Sequence, residues 1–286
     1  MILQKEIKTV AEQHEVPADT IDKDWVLGHF VNAIYLLDGW KDKLIFKGGT
    51  CLHKCYIEDY RFSEDLDFTS VDPEFELTKK MLNQLCEQIF EQAVIQTQID
   101  FFRPLLFNET LTGYESKIKF WGANHPRNQE PPSPERWTSS IKVEIILYEK
   151  MMFATEKKNI IHPYSDKKII ADTQANCYSI EEVITEKLRA LIQRAYTAPR
   201  DYFDIWYLVN HHPELNWRNI KKAFIKKVQF KNLRFINHED LLTEEAELHL
   251  KNHWENTLKH QLKPEMYVEP QTVIDYCKKL FAEKMK

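Results

Sequence analysis

The sequence predicts an α+β unit over residues 1–175, followed by a helical unit over residues 176–286. The segments YESKIKF (114–120) and SSIKVEIILYE (139–149) alternate with the period of two that is typical of half-buried strands. From Ser179 onward the periodicity is helical almost to the last residue. Mixed elements before residue 175 and helices after it therefore place a domain boundary near that residue.

Two helices are expected first, over residues 2–14 and 18–38. In the second, Val26 and Phe30 recur at helical spacing and begin an apolar stripe. Another helix is expected over residues 74–96. These helices would flank the strands of the first unit.

A strand, a tight turn and a helix are expected in close succession between the second and third helices. The apolar run LIF (44–46) reads as a short strand, and Gly48 and Gly49 directly follow it as a turn. Thr50 is expected to cap a helix over residues 51–58.

The second half of the α+β unit contains a loop and further short strands. The segment HPRNQEPPSPER (125–136) is polar and rich in proline, and residues 160–179 contain short strand-like pieces. Ser179 and Glu182 then form the S-x-x-E pattern of a capping box, which marks the first residue of the helical unit.

The composition indicates an ordinary globular protein. Of 286 residues, 43% are hydrophobic and 29% are charged, and the net charge of −5 excludes a chain that binds polyanions over its whole surface. No apolar run approaches the ~20 residues of a membrane span, so no membrane partner is expected. Five scattered cysteines without a CxxC pair indicate a protein of the reducing cytoplasm. Cys51 and Cys55 are read as small buried apolar residues rather than metal ligands.

Two aspartates flank one apolar residue in the segment EDLDF. Asp65 and Asp67 are two apart in an expected strand, so their side chains point to the same face. Two like charges repel each other unless a cation neutralises them, and Mg²⁺ accepts carboxylate and phosphate oxygens. The alternative is that both aspartates are solvated at a strand end.

The turn and a third carboxylate strengthen the metal interpretation. Backbone N–H groups in a G-G-T turn at a helix N-terminus suit phosphate oxygens. Glu144 lies within the apolar strand pattern VEIIL, where an unpartnered carboxylate is costly. It would complete a site for two metal ions, unless it is a glutamate of an edge strand.

These segments resemble a known family. KGGTCLHKCY (47–56), followed by RFSEDLDF (61–68), is similar to the opening motif of the AbiEii/AbiGii toxins, which are nucleotidyltransferases of the DNA polymerase β superfamily. The resemblance covers about residues 20–210 and includes IDKDWVLGHF, KVEI and EKLRALIQRAYTAPRDYFDIWYL. Thr50 stands where many members of the superfamily have serine, and it keeps the hydroxyl.

The resemblance implies a polymerase β-like core, a mixed sheet with flanking helices, followed by a helical domain. It implies transfer of NMP from an NTP, dependent on Mg²⁺ or Mn²⁺. Asp65 and Asp67 would hold both metal ions, and Glu144 would bind the catalytic one. The remaining residues that match the family's nucleotide-binding or catalytic positions, or lie beside them, are Lys47, Gly48, Gly49, Thr50, Arg61, Ser63, Lys187, Asp201 and Asp204. From spacing alone, Lys187 reads equally as a solvated helix lysine, and Asp201 with Asp204 as a charge pair at a helix N-terminus.

A basic segment, WRNIKKAFIKKVQFKNLRFINH (217–238), suggests the acceptor. It contains no acidic residue, and its lysines at 221, 222, 226 and 227 could contact an RNA backbone. The family resemblance favours RNA, with the 3′ end of tRNA as the expected acceptor, and a toxin neutralised by an antitoxin from a neighbouring gene. The alternatives are a solvated helix face, a nucleotidyltransferase that modifies Ser, Thr or Tyr of proteins, and a non-catalytic interaction module.

The lysines of this segment that are expected to contact RNA are Lys221, Lys222, Lys226 and Lys227.

Overall fold

The computed structural model describes residues 2–286, which belong to two compact units. The first unit runs to Glu149 and resumes over residues 155–177, and the second contains residues 150–154 and 178–286. The boundary expected between residues 175 and 176 lies two residues before this division. The sequence gives no indication that residues 150–154 join the helices.

The first unit is built on a seven-stranded mixed sheet, which confirms the α+β class. The strands are β1 (Leu44–Lys47), β2 (Asp65–Ser70), β3 (Gln96–Phe107), β4 (Thr110–Trp121), β5 (Ser140–Ile146), β6 (Glu156–Asn159) and β7 (Gln174–Cys177). Their order is β3-β4-β5-β2-β1-β7-β6. The β2/β5 and β1/β7 pairs are parallel, and the other pairs are antiparallel.

Helices cover one face of this sheet. They are α1 (Gln4–His14), α2 (Ala18–Leu36), α3 (Gly48–Cys51), which continues as a π-helix (Leu52–Tyr56), and α4 (Lys79–Ala93). α2 is buried on almost every side, and its Tyr35 ring lies 6.4 Å from that of Phe68 in β2. The apolar side chains of β2 therefore face α2, and the alternate residues of β2 face away from it.

Two strands were not expected from the sequence, β3 and the short β6, which ends just before the strand-like stretch expected over residues 160–179. The helix predicted over residues 74–96 is shorter, and β3 begins directly after it. Irregularities in the β3/β4 pairing, between Ile99 and Phe101 and between Leu105 and Leu106, interrupt the alternation of polar and apolar residues. β3 is also an edge strand that is exposed along most of its length, so burial imposes little pattern on it.

Buried charged groups attach α2 to the elements around it. Asp24 accepts hydrogen bonds from Lys54 Nζ (2.6 Å) and the Tyr164 hydroxyl (2.7 Å), and its other oxygen lies 3.0 Å from His53 Nε2. Burial opposes ionisation, but Lys54 and His53 hold the pKa of Asp24 well below its usual range. Lys54 is a structural cation for this reason.

The second unit is helical, as predicted. Its helices are α5 (Ile180–Gln193), α6 (Pro199–His211), α7 (Trp217–Phe230), α8 (Glu244–Leu258) and α9 (Pro270–Lys284). None of the helices within residues 2–286 combines the length and the hydropathy that a membrane span requires.

Only half of the expected capping box forms at the first helix of this unit. The Ser179 hydroxyl accepts a hydrogen bond from the Glu182 backbone N–H, as expected. The Glu182 carboxylate does not return to Ser179, because it accepts hydrogen bonds from the backbone N–H groups of Met152 and Phe153. These contacts tie residues 150–154 to the helical unit. The Lys227 ammonium lies 2.8 Å from the other Glu182 oxygen and compensates its charge.

Replacing Lys227 with methionine is expected to destabilise the protein by roughly 3 kcal/mol or more, because the buried Glu182 carboxylate would lose its counter-charge. The neighbouring Lys226 is exposed and serves as the control, with an expected change within about 0.5 kcal/mol for the same substitution. Urea unfolding measures both. Equal effects of the two substitutions would contradict the assignment of a structural role to Lys227.

Candidate active site

Adjacent strands bring three carboxylates together on the sheet face that points away from α2. Asp65 and Asp67 alternate in β2 with the buried Leu66 and Phe68. β5 runs parallel to β2, and Glu144 is the register partner of Asp67. Glu144 thus lies on the adjacent strand, directly beside the aspartate pair, as expected from the sequence.

A lysine that the sequence analysis missed accompanies Glu144. Lys142, the register partner of Asp65, places its ammonium 3.0 Å from Glu144 and 3.2 Å from Glu115 of β4. Burial acts to lower the pKa of Lys142, but the two glutamates outweigh it and raise that pKa. The available signal was spacing, since Lys142 is two residues before Glu144 in a strand and therefore shares its face.

Among the three carboxylates, Asp67 has a pKa that its surroundings clearly change. Burial, together with the negative charges of Glu144 and Asp65, raises the pKa of Asp67 to about 6. Lys47 and Lys142 act in the opposite direction without cancelling this effect. Lys47 is the register partner of Asp67 on β1. The two lysines therefore do not restore the ordinary pKa of Asp67.

The turn after β1 is shaped around Asp67. Gly48 has a φ of +80°, and a Cβ atom on it would lie 2.6 Å from Asp67 Oδ2. Both the conformation and the space require glycine here. A Cβ on Gly49 would lie 2.7 Å from the Arg61 guanidinium and 3.1 Å from Ser63 Oγ. Arg61 and Ser63 therefore lie against the same turn.

The expected role of Thr50 as a helix cap is wrong. The helix begins at Gly48 rather than at residue 51, so Thr50 lies inside it and is buried. Its hydroxyl donates a hydrogen bond to the backbone carbonyl of Asp65. Thr50 thereby ties the turn to the first residue of β2.

In the helical unit, Lys187 lies between Asp201 and Asp204, the two aspartates that the family resemblance singles out together with it. Its ammonium is 3.0 Å from Asp201 Oδ1 and 2.5 Å from Asp204 Oδ2. Asp201 also forms an ion pair with Arg194. Lys187, Asp201 and Asp204 are all buried, so Lys187 is not a solvated helix lysine.

A polar cavity of about 700 Å³ lies beside this cluster within the helical unit. Its lining includes Asp201, Arg194, Arg234 and Tyr196. The Arg194 guanidinium lies 5.9 Å from the centre of the exposed Tyr196 ring. The volume falls in the range of about 300–1,000 Å³ that is usual for small-molecule sites.

One of the four lysines expected to contact RNA is excluded. Lys227 is fully buried, with its ammonium 2.8 Å from Glu182 and 3.0 Å from Glu186, so it is not a surface cation. Lys222 and Lys226 are exposed, and Lys221 is partly exposed with a bond to the backbone oxygen of Lys286. The prediction for Lys227 is wrong because this residue lies on the apolar side of α7, beside Phe224 and Val228.

Known proteins share this architecture. The model of the family described as "Nucleotidyl transferase AbiEii toxin, Type IV TA system" matches residues 30–275. The fold is similar to that of MenT4, a nucleotidyltransferase toxin from Mycobacterium tuberculosis H37Rv, with a TM-score of 0.65, 16% identity, and coverage of 99% of this chain and 90% of MenT4. It is also similar to JHP933 from Helicobacter pylori, with a TM-score of 0.52, 15% identity, and coverage of 94% and 97%. None of the curated protein sequences compared matches the chain.

Replacing Asp67 with asparagine is expected to stabilise the metal-free protein at neutral pH. The pKa of Asp67 is about 6 in the folded protein, against an ordinary value of 3.8 that applies to the unfolded chain. Between pH 4 and pH 6 the folded state therefore binds more protons than the unfolded state, and the free energy of unfolding falls as the pH rises through this range. The gain from the substitution should therefore grow from near zero at pH 4 to at most about 3 kcal/mol at pH 7.

Urea unfolding in the presence of a chelator measures this gain at both pH values. The matched control is Asp42→Asn, since Asp42 is exposed. A loss of stability in Asp67→Asn at pH 7, or a gain that does not depend on pH, would contradict the electrostatic description of the site.

Proposed function

The chain belongs to the AbiEii family of nucleotidyl transferase toxins of type IV toxin–antitoxin systems, and from this premise we propose that its carboxylate face catalyses transfer of NMP from an NTP to an RNA acceptor. The observation that carries the proposal is the register of Asp67 beside Glu144, with Asp65 on the same face. Asp67 also lies against Gly48 of the turn that follows β1.

The donor set fits a hard divalent cation. Carboxylate oxygens are the ligands that Mg²⁺ and Mn²⁺ prefer. Burial and the charges of Glu144 and Asp65 raise the pKa of Asp67, and a bound cation would favour its ionised form. Asp65, Asp67 and Glu144 would hold the metal, which would supply positive charge to the phosphate oxygens of the NTP. Because Lys142 is bound to Glu144, its ammonium would have to move aside or turn towards Glu115 when the metal binds.

The protein's own groups then have distinct tasks. Backbone N–H groups of the Gly48–Gly49 turn would hold the terminal phosphates, with Lys47, Arg61 and Ser63 beside them. The acceptor hydroxyl oxygen attacks the α-phosphorus, the bond to the bridging oxygen breaks, and pyrophosphate leaves. Glu144 would orient that hydroxyl and take its proton. Thr50 contributes through its bond to Asp65.

Lys187, Asp201 and Asp204 form the second group that matches the family's motifs. We assign to Lys187 the neutralisation of phosphate charge, with the two aspartates as groups that hold its ammonium in place. The ammonium would give up part of its contact with these carboxylates to reach a phosphate. Asp201 would also hold Arg194 at the cavity beside it.

The helical unit favours RNA over protein as the acceptor. Lys222 and Lys226 are exposed on α7, and Arg194, Arg234 and Tyr196 line the cavity beside Asp201. Guanidinium groups bind phosphates, and an exposed aromatic ring can stack on a base. We infer a nucleic-acid acceptor from this combination, with the 3′ end of tRNA as the candidate from family resemblance. An antitoxin would neutralise the activity in the cytoplasm.

The transfer reaction tests the proposal directly. The purified protein is incubated with each labelled NTP, total tRNA, a protein extract and Mg²⁺, and the label is expected on RNA. Asp67→Asn is expected to abolish labelling because it removes a metal ligand, whereas the control Asp42→Asn keeps it. Label on protein would instead support the protein-modifying alternative. Undiminished labelling by Asp67→Asn would refute the assignment of the carboxylate site.

The exposed lysines of α7 are expected to act on RNA binding alone. Replacing Lys222 and Lys226 with alanine should weaken tRNA binding and reduce the slope of log K against log salt by about 0.7 per lysine, while NTP affinity stays unchanged. The control pair is Lys251 and Lys279, which are exposed on α8 and α9. Fluorescence anisotropy at several salt concentrations measures the slope. Equal slopes in the two double variants would show that α7 does not contact the acceptor.

A further inference from the structure

Three of the five cysteines converge inside the first unit. The sulfur atoms of Cys51, Cys55 and Cys177 all lie within 4.8 Å of one another, and the three side chains are buried. All five cysteines are free thiols. Cys86 and Cys277 do not belong to this cluster. The cluster is unrelated to the carboxylate site in its chemistry, because it offers only sulfur ligands.

The cluster is assembled from elements that are distant in the sequence. Cys51 is the last residue of α3 and follows Thr50 directly, and Cys55 lies in the π-helix that continues α3. Cys177 is the last residue of β7, and it is the register partner of Phe46 in the parallel strand β1. The β1/β7 pairing therefore brings the third sulfur to the two that the helix presents.

We propose that Cys51, Cys55 and Cys177 form a three-thiolate site for a soft monovalent metal ion of the Cu(I) class. Thiolates select soft ions such as Cu(I) and Zn²⁺. Within residues 2–286 the group contains no fourth histidine, cysteine or carboxylate ligand. Structural zinc takes four ligands almost without exception, whereas Cu(I) accepts three thiolates, so the ligand count decides between the two ions.

Two lysines lie near enough to the cluster to act on its charge. Lys54 acts on Cys55 and Lys158 on Cys177, and both favour the thiolate form. Without a metal, burial raises the pKa of Cys51, and the hydrogen bond with Cys55 together with burial raises that of Cys177, so these two are thiols until an ion binds. Binding of the ion would release the remaining thiol protons to solvent, and these two cations would offset part of the resulting negative charge.

The second candidate metal group is less suited to an added ion. His29, His162 and Asp166 also lie within 4.8 Å of one another. The Asp166 oxygens already pair with the Nε2 atoms of both histidines at 3.1 and 3.0 Å, and one of them accepts a hydrogen bond from Trp25. These bonds explain the group without a metal, whereas no comparable set of strong partners explains three adjoining thiols.

An ion in the thiolate site would be structural, because burial keeps substrates away from it. It would fix Cys51 to the end of β7, and Cys51 is the third residue after Gly48. The site therefore couples a soft metal to the rigidity of the turn that contacts Asp67. A chain without the ion keeps the same three thiols packed as small apolar groups.

The test is a titration of the full-length protein with Cu(I), without nucleotide, under anaerobic and reducing conditions against the chromophoric chelator bicinchoninate. One ion per chain is expected, with a rise in Tm. Cys51→Ala, Cys55→Ala and Cys177→Ala should each weaken the affinity by about tenfold or more. Cys277→Ala is the control matched for burial and Cys86→Ala the partly exposed one, and both should bind as the wild type does.

X-ray absorption on the wild-type protein keeps the test decisive if an alanine variant fails to fold. Three sulfur neighbours around copper are expected. A failure to compete with bicinchoninate, nitrogen or oxygen neighbours, or equal losses in Cys277→Ala would overturn the proposal. One zinc ion per chain that survives dialysis against EDTA would overturn the three-coordinate assignment. None of these readouts depends on nucleotidyltransferase activity.

Discussion

The placement of Asp67 beside Glu144 on adjacent parallel strands is the constraint on which the rest of the site depends. Burial raises the pKa of Asp67 first, and the negative charges of Glu144 and Asp65 raise it further. Lys142 pairs with Glu144, and Lys47 is the register partner of Asp67 on the other neighbouring strand. These two lysines lower the pKa of Asp67 only in part, so a bound cation would still favour its ionised form.

The same carboxylate determines the backbone around it. Because Asp67 occupies the space where a side chain of residue 48 would lie, only glycine is compatible with the turn. Thr50 then fixes the turn to β2 through the Asp65 carbonyl. Direct contacts thus couple the position of the Gly48–Gly49 turn to those of Asp65 and Asp67 in β2.

The buried charges of the helical unit follow a different rule, because there each ion has its partner. Lys187 contacts Asp201 and Asp204, Arg194 contacts Asp201, and Glu182 contacts Lys227. Such compensated groups contribute little net stability while they are intact, but loss of one partner is costly.

Local pattern was enough to predict the α+β class and the Asp65–Asp67 face. Lys187, Asp201 and Asp204 were singled out by the family resemblance, because their spacing alone left a structural interpretation equally open. Local pattern failed where a tertiary contact decides the outcome. Irregular pairing with β4 interrupts the alternating pattern of β3, so this strand was not predicted. Lys227 is buried because it pairs with Glu182. The Thr50 hydroxyl binds the Asp65 carbonyl instead of capping a helix. Cys177 is separated from Cys51 by most of the first unit, so no local spacing could have joined them.

The central claim is that Asp65, Asp67 and Glu144 hold the metal that serves the NTP. The most direct measurement is a crystal structure of the protein with Mn²⁺ and a non-hydrolysable NTP analogue, in which anomalous scattering locates the metal. The account predicts Mn²⁺ bound by oxygens of these three carboxylates, with the Lys142 ammonium displaced from Glu144. Mn²⁺ bound elsewhere, with Lys142 still paired to Glu144, would contradict it.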